Sequence, residues 1–254
     1  MLVTGGAKRL GRVVVQAFAE AGYACLVHVN QSVDEAAALC QQIQAQGGKA
    51  HYFQHEIANA DRAANALLDA CWQTFGVLPA ASVLPASSYF RDTDAVPLEQ
   101  QTGRQMDLNF HFPAAYCAAL ARRVAAEAKQ PVVDRSVTLF TDFKVHKVNS
   151  DMFSYSLSKH ALEGALPYLA VAFARQLRIN AIAPGPILAA HGMEQQALER
   201  MVERDSISKK APQAEDIGKT ALFLASTPSL YGQHIFVDAG ARFDASAGEY
   251  GVSV

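Results

Sequence analysis

The sequence has 254 residues, of which half are hydrophobic and 18% are charged, as in an ordinary globular protein. Its net charge of −2 gives no electrostatic case for binding nucleic acid or an anionic membrane. No apolar run reaches the ~18 residues that a membrane-spanning helix needs. No linker, repeat or low-complexity tract marks a second domain, so we expect one domain over residues 1–254.

Cysteine and histidine spacing argues against a metal site. The four cysteines are widely spaced singles in apolar surroundings, which predicts reduced, buried thiols in a cytoplasmic protein. His51 and His55 have the i,i+4 spacing of helical metal ligands, but they fall in a predicted strand, where this spacing separates them by about 13 Å. We therefore expect no metal centre.

The start of the chain predicts a strand, a glycine-bearing turn and a helix. Leu2-Val3 leads into the segment TGGAKRLG at residues 4–11, after which apolar residues recur at helical spacing. Glycines let the backbone approach a pyrophosphate, and the helix N-terminus supplies free N–H groups. The segment predicts a phosphate-binding element; the alternative is an ordinary glycine turn. Because the strand starts at Met1, it stays open whether a few residues are missing upstream.

The residues after the second predicted strand, 24–29, indicate which dinucleotide such an element takes. An NAD site usually has an acid here that holds the ribose 2′-hydroxyl. This chain has Asn30-Gln31-Ser32, which would not repel a 2′-phosphate, and Lys8 and Arg9 could reach one. The sequence therefore favours NADPH over NADH.

Strand and helix patterns alternate along the rest of the chain. Further strands are predicted at 50–54, 80–84, 137–140, 177–182 and 234–238, and helices at 34–46, 62–75, 98–128, 155–175 and 214–225. This alternation predicts an α/β fold, a Rossmann-type doubly wound parallel sheet of seven strands with helices on both faces. Ligands bind at the carboxyl ends of such strands. The polar segment around 188–212 predicts a substrate lid.

Tyr155 and Lys159 have the spacing that puts a phenol and an ammonium on one face of a helix. A nearby positive charge favours the phenolate, so we expect Lys159 to lower the pKa of Tyr155 toward the working range of a proton donor. The pair by itself is a weak signal, because surface helices carry it by chance. Its weight depends on the motifs elsewhere in the chain.

Several motifs together resemble the short-chain dehydrogenase/reductase family over essentially the whole chain. The resemblance is carried by five features, namely Thr4-Gly5-x5-Gly11, Asn109, Tyr155-x3-Lys159, Asn180-x3-Pro184-Gly185 and Val237-Asp238-x-Gly240. Within the family, the sequence is most similar to the pteridine reductases. Three further features point there: Lys8-Arg9-Leu10-Gly11, Asp142 at the usual position of the catalytic serine, and Ala86-Ser87-Ser88-Tyr89.

The resemblance implies hydride transfer from NADPH to a C=N bond of a pterin, of the dihydrobiopterin, dihydromonapterin or dihydrofolate type. Tyr155 would protonate the ring nitrogen, Asp142 would orient and assist it, and Lys159 would hold the nicotinamide ribose. Asn109 would complete the catalytic set. The pterin would lie against the ring of Tyr89. Two alternatives stay open: Tyr89 is only an exposed loop aromatic, and Asp142 is only a strand-end cap or turn residue.

The resemblance also implies the binding residues. The implied NADPH contacts are Gly5, Lys8, Arg9, Leu10, Gly11, Asn30, Gln31, Ser32, His55, Glu56, Ala86, Ser87, Tyr155, Lys159, Pro184, Gly185 and Ile187. The implied pterin contacts are Arg9, Ser87, Tyr89, Asp142 and Tyr155. Family members are usually homodimers or homotetramers, so we expect one of these assemblies.

One departure from the family pattern keeps two other functions open. Where relatives carry Asn-Asn-Ala after the fourth strand, this chain has Leu84-Pro85-Ala86, which lacks the asparagine that braces the sheet and the cofactor. The first alternative is a short-chain reductase of a ketone or a 3-oxoacyl substrate. The second is a protein that binds NADPH without turning over a substrate.

Overall fold

The computed structural model describes residues 1–127, 133–147, 152–189 and 193–243. Seven strands in this part of the chain form one parallel sheet in the order β3-β2-β1-β4-β5-β6-β7. The strands are β1 (Leu2–Val3), β2 (Cys25–Val29), β3 (Ala50–Gln54), β4 (Ala81–Leu84), β5 (Ser136–Phe140), β6 (Arg178–Pro184) and β7 (His234–Val237). The predicted seven-stranded Rossmann-type fold is confirmed.

The helices lie near the predicted positions. They are α1 (Arg9–Glu20), α2 (Val33–Ala45), α3 (Ala60–Phe75), α4 (Leu98–Met106), α5 (Phe112–Ala126), α6 (Phe153–Ala172), α7 (Gln195–Asp205) and α8 (Ala214–Ser226). The long helical region predicted at 98–128 is interrupted by a π-helical turn at Asp107–His111. None of the helices in the described ranges has the length and apolar character needed to cross a bilayer.

The sheet is covered on both faces, which explains its continuous apolar strands. β2 and β5 are buried at every position, as expected for parallel strands with helices on both sides. One core cluster joins the sheet to α3, α5 and α6, and a second joins it to α1, α2 and α8. Each fully buried leucine or valine side chain contributes about 1.5–3 kcal/mol to folding.

The strand order changes direction at β1, which pairs with β2 on one side and β4 on the other. Such a switch point opens a crevice beyond the carboxyl ends of the strands. The residues that follow β1, β4, β5 and β6 line a cleft there, among them Gly5, Pro85, Thr141 and Gly185. The topology thus fixes where a ligand can bind.

Candidate active site

A cleft of about 1520 Å³ lies at the carboxyl ends of the central strands. Most of the residues predicted to form the site line it: Gly5, Lys8, Arg9, Leu10, Gly11, Asn30, Glu56, Ala86, Ser87, Tyr89, Asp142, Tyr155, Lys159, Pro184, Gly185 and Ile187. Gln31, Ser32, His55 and Asn109 are not among the lining residues. Of the predicted lid at 188–212, residues 190–192 lie outside the described ranges, and α7 contributes Leu198 and Val202 to the wall.

Asp142 and Tyr155 are in direct contact on the floor of the cleft. The Tyr155 hydroxyl donates a 2.6 Å hydrogen bond to Oδ2 of Asp142, and the backbone N–H of Lys144 donates a 2.9 Å bond to Oδ1. The second bond forms because Asp142 caps the short 3₁₀ turn at Phe143–His146 that follows β5. Both carboxylate oxygens are therefore fixed, one of them against the phenol.

Lys159 lies one helical turn beyond Tyr155 and is buried. Its Nζ donates a 2.8 Å hydrogen bond to the carbonyl oxygen of Phe140 and lies 5.7 Å from the centroid of the Tyr155 ring. Burial lowers the pKa of Lys159 to about 8, against the attraction of Asp142. The ammonium is thus held at the end of β5, beside the phenol and the carboxyl group.

The expectation that Lys159 lowers the pKa of Tyr155 is wrong for this arrangement. Burial, followed by the charge of Asp142, raises the pKa of Tyr155 well above its ordinary value. The carboxylate touches the phenol, whereas the ammonium binds the carbonyl of Phe140. Desolvation likewise raises the pKa of Asp142, against the bonds that it accepts. The phenol is therefore protonated at neutral pH, and the carboxyl group of Asp142 beside it is a weaker acid than an ordinary aspartate.

Asn109 supports the site from behind and does not face the cleft. The π-helical turn carries its buried side chain, whose Oδ1 accepts 2.8 Å hydrogen bonds from the Ser87 hydroxyl and the Ser88 N–H. Its Nδ2 donates to Ser158 Oγ at 3.0 Å, and that hydroxyl donates to the carbonyl of Tyr155 at 2.6 Å. Asn109 thereby joins the loop after β4 to the start of α6.

Tyr89 packs its ring against the reactive phenol. The Tyr89 and Tyr155 rings meet edge to face, with centroids 4.8 Å apart and planes at 85°. The ammonium of Lys144 lies 5.7 Å from the Tyr89 centroid, and 51% of Tyr89 stays exposed. Tyr89 therefore presents aromatic surface beside the proton donor.

The glycine turn has the shape and the free donors that a dinucleotide pyrophosphate requires. Lys8 begins α1 without a side-chain cap, so the first backbone N–H groups of the helix lack side-chain partners and lie at the cleft. Gly5 has a φ of +58°, and a Cβ added at Gly11 would lie 2.2 Å from the Gly5 carbonyl oxygen. Only glycine fits this tight packing, which leaves backbone at the surface of the cleft.

Arg9 and Lys8 are engaged with protein groups in this structure. Arg9 donates 3.0 Å hydrogen bonds to the carbonyls of Leu188 and Ala189, and so bridges the glycine turn and the loop after β6. Lys8 forms an exposed ion pair with Glu35 at 2.6 Å. Their predicted contacts with the cofactor and substrate would require these side chains to exchange partners.

Three residues that hold the site together were not among the predicted site residues. Thr4 Oγ1 accepts a 3.2 Å bond from the Ala86 N–H and ties β1 to the departing Pro85-Ala86 segment. His28 contacts the glycine turn, and Ser158 joins Asn109 to α6. The position of Ser158 beside Lys159 was a usable signal, because it places the hydroxyl on the inner part of the same helix.

A family model described as enoyl-(acyl carrier protein) reductase matches residues 5–242. The chain belongs to the short-chain dehydrogenase/reductase family. The family resemblance inferred from its motifs is thereby confirmed. The chain is accordingly a short-chain oxidoreductase.

Three similar proteins are named for different activities. The crystal structure of FolM alternative dihydrofolate reductase 1 from Brucella suis, in complex with NADP, is 31% identical with a TM-score of 0.83, over 95% of this chain and 94% of the other. Pteridine reductase 1 of Leishmania tarentolae is 26% identical over 94% of each chain. The 3-oxoacyl-[acyl-carrier-protein] reductase FabG of Aggregatibacter actinomycetemcomitans is 25% identical over 91% of this chain and 93% of its own.

Proposed function

We propose that this short-chain oxidoreductase is an NADPH-dependent reductase that transfers hydride to a C=N bond of a pterin, of the dihydrobiopterin, dihydromonapterin or dihydrofolate type. The observation that carries the proposal is the hydrogen bond from Tyr155 to the carboxyl group of Asp142. A serine hydroxyl there suits an alcohol or ketone oxygen, whereas a carboxyl group can orient and help to protonate a nitrogen heterocycle. The names of two relatives, a pteridine reductase and an alternative dihydrofolate reductase, support this choice.

The chemistry divides into a hydride for carbon and a proton for nitrogen. NADPH supplies the hydride when it is bound. Tyr155 keeps its proton at neutral pH and donates it from Oη to the ring nitrogen, which leaves a phenolate beside Asp142. Because desolvation raises its pKa, the Asp142 carboxylate can then take up a proton from water in the open cleft and pass it across the 2.6 Å contact to the phenolate.

The cofactor would be held along the cleft by residues at the strand ends. The glycine turn would bind the pyrophosphate through backbone N–H groups, and Lys159 would bind the nicotinamide ribose. Asn30 and Glu56 line the cleft and would bind the adenosine, and Gln31 and Ser32, next in sequence to Asn30, would bind the 2′-phosphate. Tyr89, Ser87 and Arg9 would bind the pterin. An aromatic contact of this kind adds about 0.5–1.5 kcal/mol beyond area burial.

The direct test is oxidation of NADPH in the presence of dihydrobiopterin, dihydromonapterin or dihydrofolate. NADPH binding to the folded protein is measured first by calorimetry. A failure to bind NADPH can then be distinguished from a failure to reduce the pterin. We expect turnover with at least one of the three compounds. NADPH binding without turnover of any of them would contradict pterin reduction and favour the alternative of a non-catalytic NADPH-binding protein.

A second candidate is reduction of a ketone or a 3-oxoacyl thioester. It is favoured by similarity to a 3-oxoacyl reductase at almost the same identity as to the pteridine reductase. The discriminating variant is Asp142→Ser, which restores the side chain expected for carbonyl chemistry. If the wild-type protein reduced acetoacetyl thioester faster than every pterin, the second candidate would replace the first.

We further propose a homodimer or homotetramer in the cytoplasm, with α7 as part of a substrate lid on a single domain. On α6, 77% of Tyr168 and 80% of Val171 are exposed, and a second copy of the chain could cover this apolar surface. Light scattering of the purified chain tests the assembly, and a monomer would contradict it.

All four cysteines are free and buried, which suits a reducing compartment such as the cytoplasm.

A further inference from the structure

His28 lies in the middle of an apolar strand and is only 2% exposed. Its ring bridges two backbone groups that are far apart in sequence. The N–H of Gly5 donates a 3.3 Å hydrogen bond to Nδ1, and Nε2 lies 2.9 Å from the carbonyl oxygen of His55. The ring therefore joins the glycine turn after β1 to the residue that follows β3.

The two contacts define the protonation state of the ring. A carbonyl oxygen can only accept, so Nε2 carries the hydrogen, while Nδ1 must be bare in order to accept from Gly5. Only the neutral Nε2–H tautomer satisfies both partners. Burial lowers the pKa of His28 to about 4, so the ring stays in this form at neutral pH.

We propose that His28 is a positioning residue that shapes the adenosine half of the cofactor site by fixing the glycine turn relative to the exit of β3. The inference rests on the cofactor part of the proposed function. The backbone of His28 contributes as well, because its carbonyl accepts the Gly6 N–H at 3.1 Å. Side chain and backbone together thus hold two consecutive N–H groups of the turn.

The glycine turn needs this support because its conformation is unusual. Gly5 adopts a left-handed φ of +58°, and its carbonyl packs against Gly11 at the start of α1. On the other side, the His55 N–H donates to the Val29 carbonyl at 2.9 Å, so the ring contacts a segment already paired with β2. Without the ring, the Gly5 N–H would lose its acceptor and the His55 carbonyl its donor, and both walls of the adenosine end could shift.

Three substitutions separate the two ends of this bridge. His28→Asn keeps an acceptor near the position of Nδ1 and loses the donor to His55, whereas His28→Gln keeps a donor near the position of Nε2 and loses the acceptor for Gly5. His28→Leu loses both. His51→Asn, on an exposed position of β3, is the matched control.

The measurements are calorimetric dissociation constants for NADPH and for 2′,5′-ADP, which carries only the adenosine half, together with kcat at saturating NADPH. We expect His28→Leu to weaken binding of both ligands at least tenfold, His28→Asn and His28→Gln to weaken it less, and kcat to stay within about threefold. His51→Asn should behave as wild type.

Unchanged binding of 2′,5′-ADP by folded His28→Leu protein would overturn the inference, as would an equal loss of affinity and kcat, which indicates a general structural role. Wild-type protein that binds no NADPH would instead refute the proposed function. If the leucine variant does not fold, ¹⁵N-histidine NMR of the wild-type chain at pH 7 decides, because a proton on Nδ1 of His28 would contradict the bridge.

Discussion

The hydroxyl of Tyr155 donates a 2.6 Å hydrogen bond to Asp142, and each group alters the acidity of the other. Burial, followed by the charge of the Asp142 carboxylate, raises the pKa of the phenol, while the phenol opposes the rise in the pKa of Asp142 that desolvation causes. The two groups therefore act as one unit that holds its phenolic proton firmly and can receive another. Such a unit suits protonation of a basic nitrogen, which accepts the phenolic proton as the hydride is transferred to the carbon of the C=N bond.

Removal of the phenolic oxygen should abolish turnover and spare cofactor binding. Tyr155→Phe keeps the ring against Tyr89 but deletes the proton donor, so we expect no detectable reduction and a dissociation constant for NADPH within a few-fold of wild type. Steady-state kinetics and calorimetry measure the two quantities. A comparable loss of binding would assign the tyrosine a structural role.

Replacement of the carboxyl group by an amide tests the proton supply. Asp142→Asn can still accept from Tyr155 but cannot provide a proton, so kcat should fall by about 10²–10⁴, the usual contribution of a general acid. NADPH binding should change little. Asp216→Asn, at an exposed ion pair on α8, is the control for a lost carboxylate. A kcat within twofold of wild type for Asp142→Asn would exclude Asp142 from the proton path.

The charge of Lys159 should determine the pH above which kcat/KM for NADPH declines. Its pKa is lowered to about 8, so the ammonium is present below that pH and is lost as pH rises through it. The phenol cannot produce this limb, because its pKa is raised well above the ordinary value. We expect kcat/KM for NADPH, which reports the free enzyme, to decline near pH 8.

Lys159→Met provides the control for this pH dependence. The variant should bind NADPH more weakly and show no decline near pH 8. A wild-type profile that stays flat to pH 9.5 would mean that the ammonium retains an ordinary pKa.

The fold was predictable because it depends on local patterns. Continuous apolar runs such as β2 predict buried parallel strands, and the i,i+4 spacing of Tyr155 and Lys159 predicts that they share a helix face. The contact between Asp142 and Tyr155 followed from the family motif, which places them thirteen residues apart. These signals lie within single elements or at fixed spacings.

What the sequence did not predict depends on burial and on distant pairing. The raised pKa of Tyr155 results from desolvation, which spacing does not report. The Thr4–Ala86 hydrogen bond joins residues 82 apart, and His28 looked like one more member of an apolar strand. Arg9 contacts the loop after β6 and has a left-handed φ of +51°, which is unusual for a residue other than glycine.

Asn30 should control the preference for NADPH over NADH. It follows β2 directly and lines the cleft, and at the proposed adenosine end an acid would bind a ribose 2′-hydroxyl and repel a 2′-phosphate. Asn30→Asp should therefore lower the ratio of kcat/KM for NADPH to that for NADH at least tenfold. Asn30→Ala should change the ratio much less, because it adds no charge. Equal ratios in the two variants would place the 2′-phosphate elsewhere.

Pro167 in the interior of α6 should reduce the stability of the protein. It has no N–H to donate to the carbonyl of Glu163 four residues earlier, and an interior proline costs a helix about 3 kcal/mol. Because proline also restricts the unfolded chain, by about 0.4–1 kcal/mol, Pro167→Ala should raise the free energy of unfolding by about 2 kcal/mol, measured in urea. Gly164→Ala is the matched control, since its added Cβ meets nothing within 4 Å and should contribute at most about 1 kcal/mol. A gain from Pro167→Ala no larger than that from Gly164→Ala would show that the helix already accommodates the ring without loss.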